Sequence, residues 1–124
     1  LVTAHYEAKA AWEAGTDEAT MKPLLALIRQ SQWRWDFCAA SHGGSFHAPI
    51  EMASILSNGI MRGLEARIGL ARVLTTKGID KVTVPDISSK AGAQKAIGLD
   101  MDALIKEKET FKQQVLPTWN KSAV

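Results

Sequence analysis

The stretch PIEMASILSNGIMRGLEARIGLARVLTTKG, residues 49–78, decides the fold. Pro49 suits the first position of a helix, where the donor it lacks has no partner to lose. Ile50, Ala53, Leu56, Ile60, Leu64, Ile68, Ala71 and Leu74 follow at steps of three or four, and Gly78 stands where a left-handed cap closes such a run. A helix over 49–77 is about 43 Å long, whereas a compact globule of this chain length is only about 35 Å across. The helix is therefore expected to lie against another chain or against the rest of a larger protein. Gly59 and Gly63 offer it a place of close approach.

Upstream, the helical period continues. Ala4, Ala8 and Ala11 share one face of a first helix over 2–14, ended by Gly15. Thr16 is placed to cap a second helix, with Asp17 and Glu18 in its first turn complementing the dipole. Its apolar stripe reads Met21, Leu24, Leu25, Ile28, Trp35 and Ala39 and continues to His42. Pro23 withholds one backbone donor and is expected to kink it, and Gly43-Gly44-Ser45 breaks the pattern as a hinge.

Downstream, Val82-Thr83-Val84-Pro85 alternates and stops with no second strand to pair it, so it reads as an extended connector. Ser88 is placed to cap a short helix over 89–97, ended by Gly98, and Asp100 a last one carrying Met101, Leu104, Ile105, Phe111 and Val115. Pro117 is expected to end or bend that helix after Leu116. The fold class is all-α: long antiparallel helices with short helices and an extended connector, in a single helical domain over 1–124.

Composition narrows the function. In 124 residues, 46% are hydrophobic and 23% charged, which is the balance of a globular chain with a packed core. Fifteen basic against thirteen acidic side chains leave a net charge of +2 and no basic stripe, so nucleic acid is not an expected partner. No apolar run is long enough to span a membrane, and no secretion leader is visible. The chain starts inside a helix and without Met, and so reads as a piece of something longer. It contains no C-x-x-C-H, GxGxxG, P-loop, HExxH or EF-hand loop, and its one cysteine, Cys38, closes no disulfide and builds no Cys-rich metal site.

His47 is the first candidate for chemistry. It follows the Gly-Gly-Ser turn and precedes the Pro49 helix start, where the positive end of the dipole favours the neutral imidazole that a metal or haem iron takes. Against this stands a partly buried or N-capping histidine with no ligand. His42 reads as a buried core histidine, a zinc pair with His47 being short of ligands. Cys38 and His42 stand i, i+4, the spacing of a thiolate–imidazole dyad, although a cysteine packed as a small hydrophobe is commoner. His5 has no partner in view. Trp33-Arg34-Trp35 more simply packs helices, or something large and flat, than it stacks on bases.

Trp33-Arg34-Trp35-Asp36, then Ala40-Ser41-His42-Gly43 and His47-Ala48-Pro49, resemble the C-terminal helical part of the ammonia-forming cytochrome c nitrite reductases, periplasmic pentahaem enzymes. The resemblance continues from His5 to Trp12 and through Leu70–Leu74, Thr76-Lys77-Gly78, Val84–Ser88 and Ala96–Leu99, essentially the whole chain. It implies an enzyme that reduces nitrite to ammonium by six electrons, of which the isolated chain is inactive and carries no catalytic residue. It also implies that His47 is a distal axial ligand to the iron of an electron-transfer haem. Haem c would be attached to a missing N-terminal part, and calcium would lie elsewhere in the full-length enzyme, neither bound to the isolated chain. The implied partners are a second copy joined through long helices, the remainder of the haem enzyme and an electron-donor protein. Ile50 before Glu51 departs from the acidic residues that often follow the family's proline. A cofactor-free helical interaction module is the alternative from a different class.

Overall fold

The computed structural model describes residues 1–122. Helices α1 (Val2–Glu13), α2 (Glu18–Ala40), α3 (Gly44–His47), α4 (Pro49–Thr76), α5 (Lys90–Ala96), α6 (Met101–Thr110) and α7 (Leu116–Ser122) follow in order, with a π-helical turn, Phe111–Val115, joining the last two. No strand occurs among the described residues, and 79–87 is extended or bent chain. The all-helical expectation holds. The chain falls into two compact units, Leu1–Val84 and Pro85 onward.

In the first unit the packing is organised by small residues. Ala4, Ala8 and Ala11 are buried on one face of α1, a helix that high alanine content favours intrinsically. Gly59, Gly63 and Ala66 are buried on α4. Ser31 sits between the two glycines: its Oγ donates to the Gly59 carbonyl at 2.8 Å, and a Cβ on Gly63 would lie 3.1 Å from that same oxygen. Leu24 packs at Gly69 and Cys38 Sγ lies 3.9 Å from the Met52 carbonyl, so residue numbers fall along α2 as they rise along α4. The pair is antiparallel. α1 runs the other way relative to α2 and parallel to α4, tied by a two-pronged Arg67–Glu7 ion pair near its middle and by Lys77 Nζ donating to Gly15 O at its end. The Glu7 carboxylate, hydrogen-bonded to the guanidinium, holds Arg67 above its ordinary value. Met21, Ile28, Leu70 and Leu74 complete the core.

The C-terminal ends of α1 and α4 close as expected. At Gly15 and Gly78 the chain turns left-handed, and Thr16 N–H and Ile79 N–H reach back to Ala11 O and Leu74 O, satisfying carbonyls that would otherwise be orphaned.

Several sequence expectations are corrected. The cap of α2 is Asp17, whose Oδ1 accepts from Thr20 N–H at 2.9 Å and whose Oδ2 accepts from the Thr20 hydroxyl at 2.8 Å. Thr16 is instead buried, with its hydroxyl unpartnered among the described residues. Helix α2 ends at Ala40, where Ser41 Oγ turns back onto Phe37 O at 2.6 Å. Its stripe therefore does not reach His42, and Trp35 and Ala39 are exposed. On α4 the larger part of the predicted stripe, Ile50, Leu56, Ile60, Leu64 and Ile68, faces out. The glycine pair receives α2 of the same chain, not a separate partner. The short helix α5 is capped by Ser89, its Oγ accepting from Gly92 N–H, while Ser88 N–H is held by Asp86 Oδ1.

Among the described residues of the second unit none is buried: α6 lies mostly exposed and is capped by Asp100, as expected. Helical chain continues through Pro117 into α7. The π turn just before it shifts the hydrogen-bond register where proline withholds a donor.

Candidate functional site

Antiparallel packing brings the C-terminal end of α2 and the N-terminal end of α4 to one end of the first unit, and α3 is the single turn that joins them. Gly43 takes φ +79°, a left-handed conformation that glycine adopts at no steric cost. The reversal lets Phe46 N–H and His47 N–H both donate to Gly43 O, at 3.0 and 2.9 Å, closing the turn. Ala48 then leaves helical geometry for one residue, and Pro49 starts α4 with Met52 N–H donating to Ala48 O at 3.0 Å.

His47 is exposed at this junction. The Phe46 ring stands edge-on to its imidazole, with centroids 5.2 Å apart and planes at 89°. The ring also lies close to the turn: a Cβ on Gly43 would meet His47 Cδ2 at 3.4 Å and Nε2 at 3.8 Å. Gly44 is held close by Met52, whose Cε and Sδ a Cβ there would meet at 2.8 and 3.2 Å. Phe46, 83% exposed, and Ile50, 80% exposed, flank the imidazole along the chain. Trp35 and Phe37 are exposed in the last two turns of α2, and Trp33 stacks on Phe37 with centroids 5.7 Å apart.

The other candidates separate. His42 is exposed in the turn beyond α2, so it is not the core histidine expected, and the helical face that would pair it with Cys38 is not formed. The helix unwinds there because two glycines follow, and no apolar neighbour remains to bury the ring. Cys38 is half-buried with its thiol toward a backbone carbonyl. His5 is exposed on α1. Among the described residues no three His, Cys, Asp or Glu side chains stand close enough to hold a metal ion, which removes a local zinc site.

The family model for cytochrome c552 matches residues 1–124. This chain belongs to the cytochrome c552 family. It is 56% identical over 124 residues to a cytochrome c-552 of Porphyromonas gingivalis, an alignment covering 99% of this chain and 25% of that protein. A cytochrome c-552 of Bacteroides thetaiotaomicron is 54% identical over the same share of each. The chain thus spans about a quarter of the length of the curated relatives it matches.

These matches correct the assignment the motifs suggested. The family shown is cytochrome c552, and both relatives bear that name, so membership of the ammonia-forming nitrite reductases, and with it the six-electron reduction of nitrite, is replaced by membership of this cytochrome family. The physical reason lies in which residues carried the likeness. Gly43, Gly78 and Pro49 are turn and helix-start residues, and Trp33 and Trp35 are exposed on α2 without joining the core; residues of this kind report an architecture, not a reaction.

Cytochrome c membership implies haem c, held covalently through cysteine thioethers and by an axial ligand on iron. The residues here fit half of that requirement. His47 offers an accessible imidazole amid apolar surface, as an axial ligand must. Covalent attachment is a different matter, because one half-buried cysteine and no C-x-x-C-H cannot form the two linkages. Sequence reading missed Phe46 and Met52 as neighbours of the site; the Gly43-Gly44 doublet was the signal that something would approach the backbone closely there.

Proposed function

We propose that this chain is the part of a cytochrome c552-family protein that presents His47 as an axial ligand to the iron of a haem c attached outside these 124 residues. The observation that carries the reading is the exposed imidazole at the α3–α4 junction, with the Phe46 ring edge-on to it and exposed Ile50 three residues on. When bound, the haem supplies one-electron storage and release at iron. The chain's own part is to hold a donor nitrogen at the end of a packed helix pair and to offer a flat apolar ring system the exposed side chains of Phe46 and Ile50 beside it. Iron ligands supported by such surroundings tune potential through solvent exclusion as much as through the ligand atom.

The same reading puts the protein in the periplasm, joined to the remainder of a haem protein and served by an electron-donor protein. The outward stripe of α4, Leu56, Ile60, Leu64 and Ile68, is continuous over three turns on a helix about 42 Å long. We assign it to a second copy of the chain, packed helix on helix in a self-complementary contact.

The test of the ligand uses a ferric haem c peptide that carries one histidine on iron and leaves the sixth position open. Mixed with the chain, it is expected to give the low-spin spectrum of iron with two histidines. His47→Ala should abolish that change while His5→Ala and His42→Ala leave it intact; equal behaviour of all three variants would overturn the assignment.

A further inference from the structure

The turn at Gly15 folds the end of α1 back beside the first half of α2, and a groove is left along that junction. Its cavity, about 370 Å³, is lined by Trp12 from α1 and by Glu18, Lys22, Leu25, Ala26 and Arg29 from α2. That volume suits a ligand of one or two rings. The five α2 residues follow one another within a turn at each step and so share one side of the helix. Trp12, 42% exposed, contributes a wide flat indole. Half-buried Leu25 packs against the core, and Ala26 brings only a methyl group between the longer side chains of Lys22 and Arg29.

Charge separates this groove from the rest of the surface. Glu18 and Lys22 stand i, i+4 and offset one another, which leaves the Arg29 guanidinium in excess. Of the five arginines, Arg34 donates to Gln30 O, Arg62 pairs with Glu65 and Arg67 with Glu7. No hydrogen bond or ion pair engages Arg29 or Arg72 among the described residues, and of these two it is Arg29 that lines the cavity. A guanidinium presents paired N–H donors that match a carboxylate, and an indole face stacks on a flat ring. We propose that the groove is a binding site for a small aromatic carboxylate, its ring beside Trp12 over Ala26 and its carboxylate on Arg29. The site is separate from His47: Arg29 precedes the end of α2 by eleven residues, about 17 Å of helix. It does not depend on whether that imidazole takes iron.

The probe is 2-naphthoate, with naphthalene-2-methanol as its uncharged counterpart. Each is titrated into the chain while the indole N–H signals of the four tryptophans are followed by NMR, that of Trp12 being assigned through Trp12→Phe. Naphthoate is expected to shift the Trp12 signal saturably and to leave those of Trp33, Trp35 and Trp119 nearly in place. Arg29→Gln should weaken binding about tenfold, while Arg72→Gln leaves it unchanged. Naphthalene-2-methanol should bind the parent about as weakly as naphthoate binds Arg29→Gln. Ala26→Leu fills the floor without altering charge, and leucine is nearly as good a helix former as alanine. It should abolish the Trp12 shift while the circular dichroism stays that of the parent. A Trp12 signal that does not move overturns the site, as do undiminished binding by Arg29→Gln or Ala26→Leu and equal weakening by Arg72→Gln. Equal shifts at all four tryptophans overturn it too, because naphthoate then coats exposed aromatic surface. Naphthalene-2-methanol binding as tightly as naphthoate overturns the carboxylate.

Discussion

The two faces of α4 are both hydrophobic and do opposite things. Facing in are Gly59, Gly63, Ala66, Leu70 and Leu74, all buried; facing out are Leu56, Ile60, Leu64 and Ile68, of which Ile60 is 62% exposed. The larger aliphatic side chains thus lie mostly on the uncovered face. The difference lies in how close a neighbour must come. α2 approaches α4 near enough for Ser31 Oγ to reach a backbone carbonyl, and only residues without bulk permit that; the outer face is free of any such constraint. Side-chain size, more than hydrophobicity, distinguishes the inner surface of this helix pair.

The largest effect that would break this comparison comes from truncating each face in turn. Leu70→Ala removes a fully buried side chain and is expected to cost about 3 kcal/mol in denaturant unfolding. Leu64→Ala, on the exposed face, should stay within about 0.5 kcal/mol of the parent. Similar losses at the two sites would show that the faces are energetically alike. Next in size is overpacking of the inner face: Gly63→Val directs its branches at Ser31 Oγ, which is already bonded to Gly59 O, and should cost about 2 kcal/mol. Valine placed on the outer face, as in Leu64→Val, overpacks nothing and is expected to be nearly silent in the same titration.

Much of this fold was legible in the sequence, and the unreadable part has definite causes. The limits of several helices followed from punctuation: Gly15, Gly78 and Gly98 each end a helix left-handed, Pro49 begins α4 and Asp100 caps α6; the short α3, inside the expected hinge, and α7, beyond the expected stop, did not. Adjacent capping candidates were not separable, because Thr16 and Asp17, or Ser88 and Ser89, differ only in which backbone N–H lies within reach once the first turn closes. The stripe of α4 was assigned inward because periodicity weights Ile and Leu and gives glycine no weight. At the candidate site His47 could be singled out from its neighbours in sequence, yet Phe46 could not be given its bracing role. Consecutive side chains in a regular helix diverge, and only in the single turn of α3 do these two rings meet. The likeness to a nitrite-reducing family rested on His47 and on architectural residues around it, which point to a histidine without fixing a reaction.

A smaller effect on folding, with a larger one on association, is expected from charging the outer face. Ile60→Lys with Ile68→Lys should alter chain stability by no more than about 0.5 kcal/mol per site, since both side chains are already in solvent. Sedimentation velocity should nonetheless show the parent chain associating with concentration and the double variant remaining monomeric. A parent chain that is monomeric throughout would remove the second copy from that face.

The smallest expected effect concerns the start of α2, whose register determines which residues meet Gly59 and Gly63. Asp17 lies below the ordinary carboxylate value because its carboxylate accepts from Thr20 N–H and then from the Thr20 hydroxyl, bonds that favour the charged form. A carboxyl group depressed in the folded state contributes stability that is present above its unfolded value and disappears as pH falls through its folded value. Asp17→Asn keeps a side-chain acceptor at the cap but removes the charge and its attraction to the helix dipole. Thermal melts of the two chains should therefore differ slightly at neutral pH, with the parent the more stable, and converge as the solution is acidified below the carboxylate range. A gap that persists undiminished in acid would mean that the cap acts through shape alone, and that the register of α2 against the small-residue face of α4 owes nothing to the charge on Asp17.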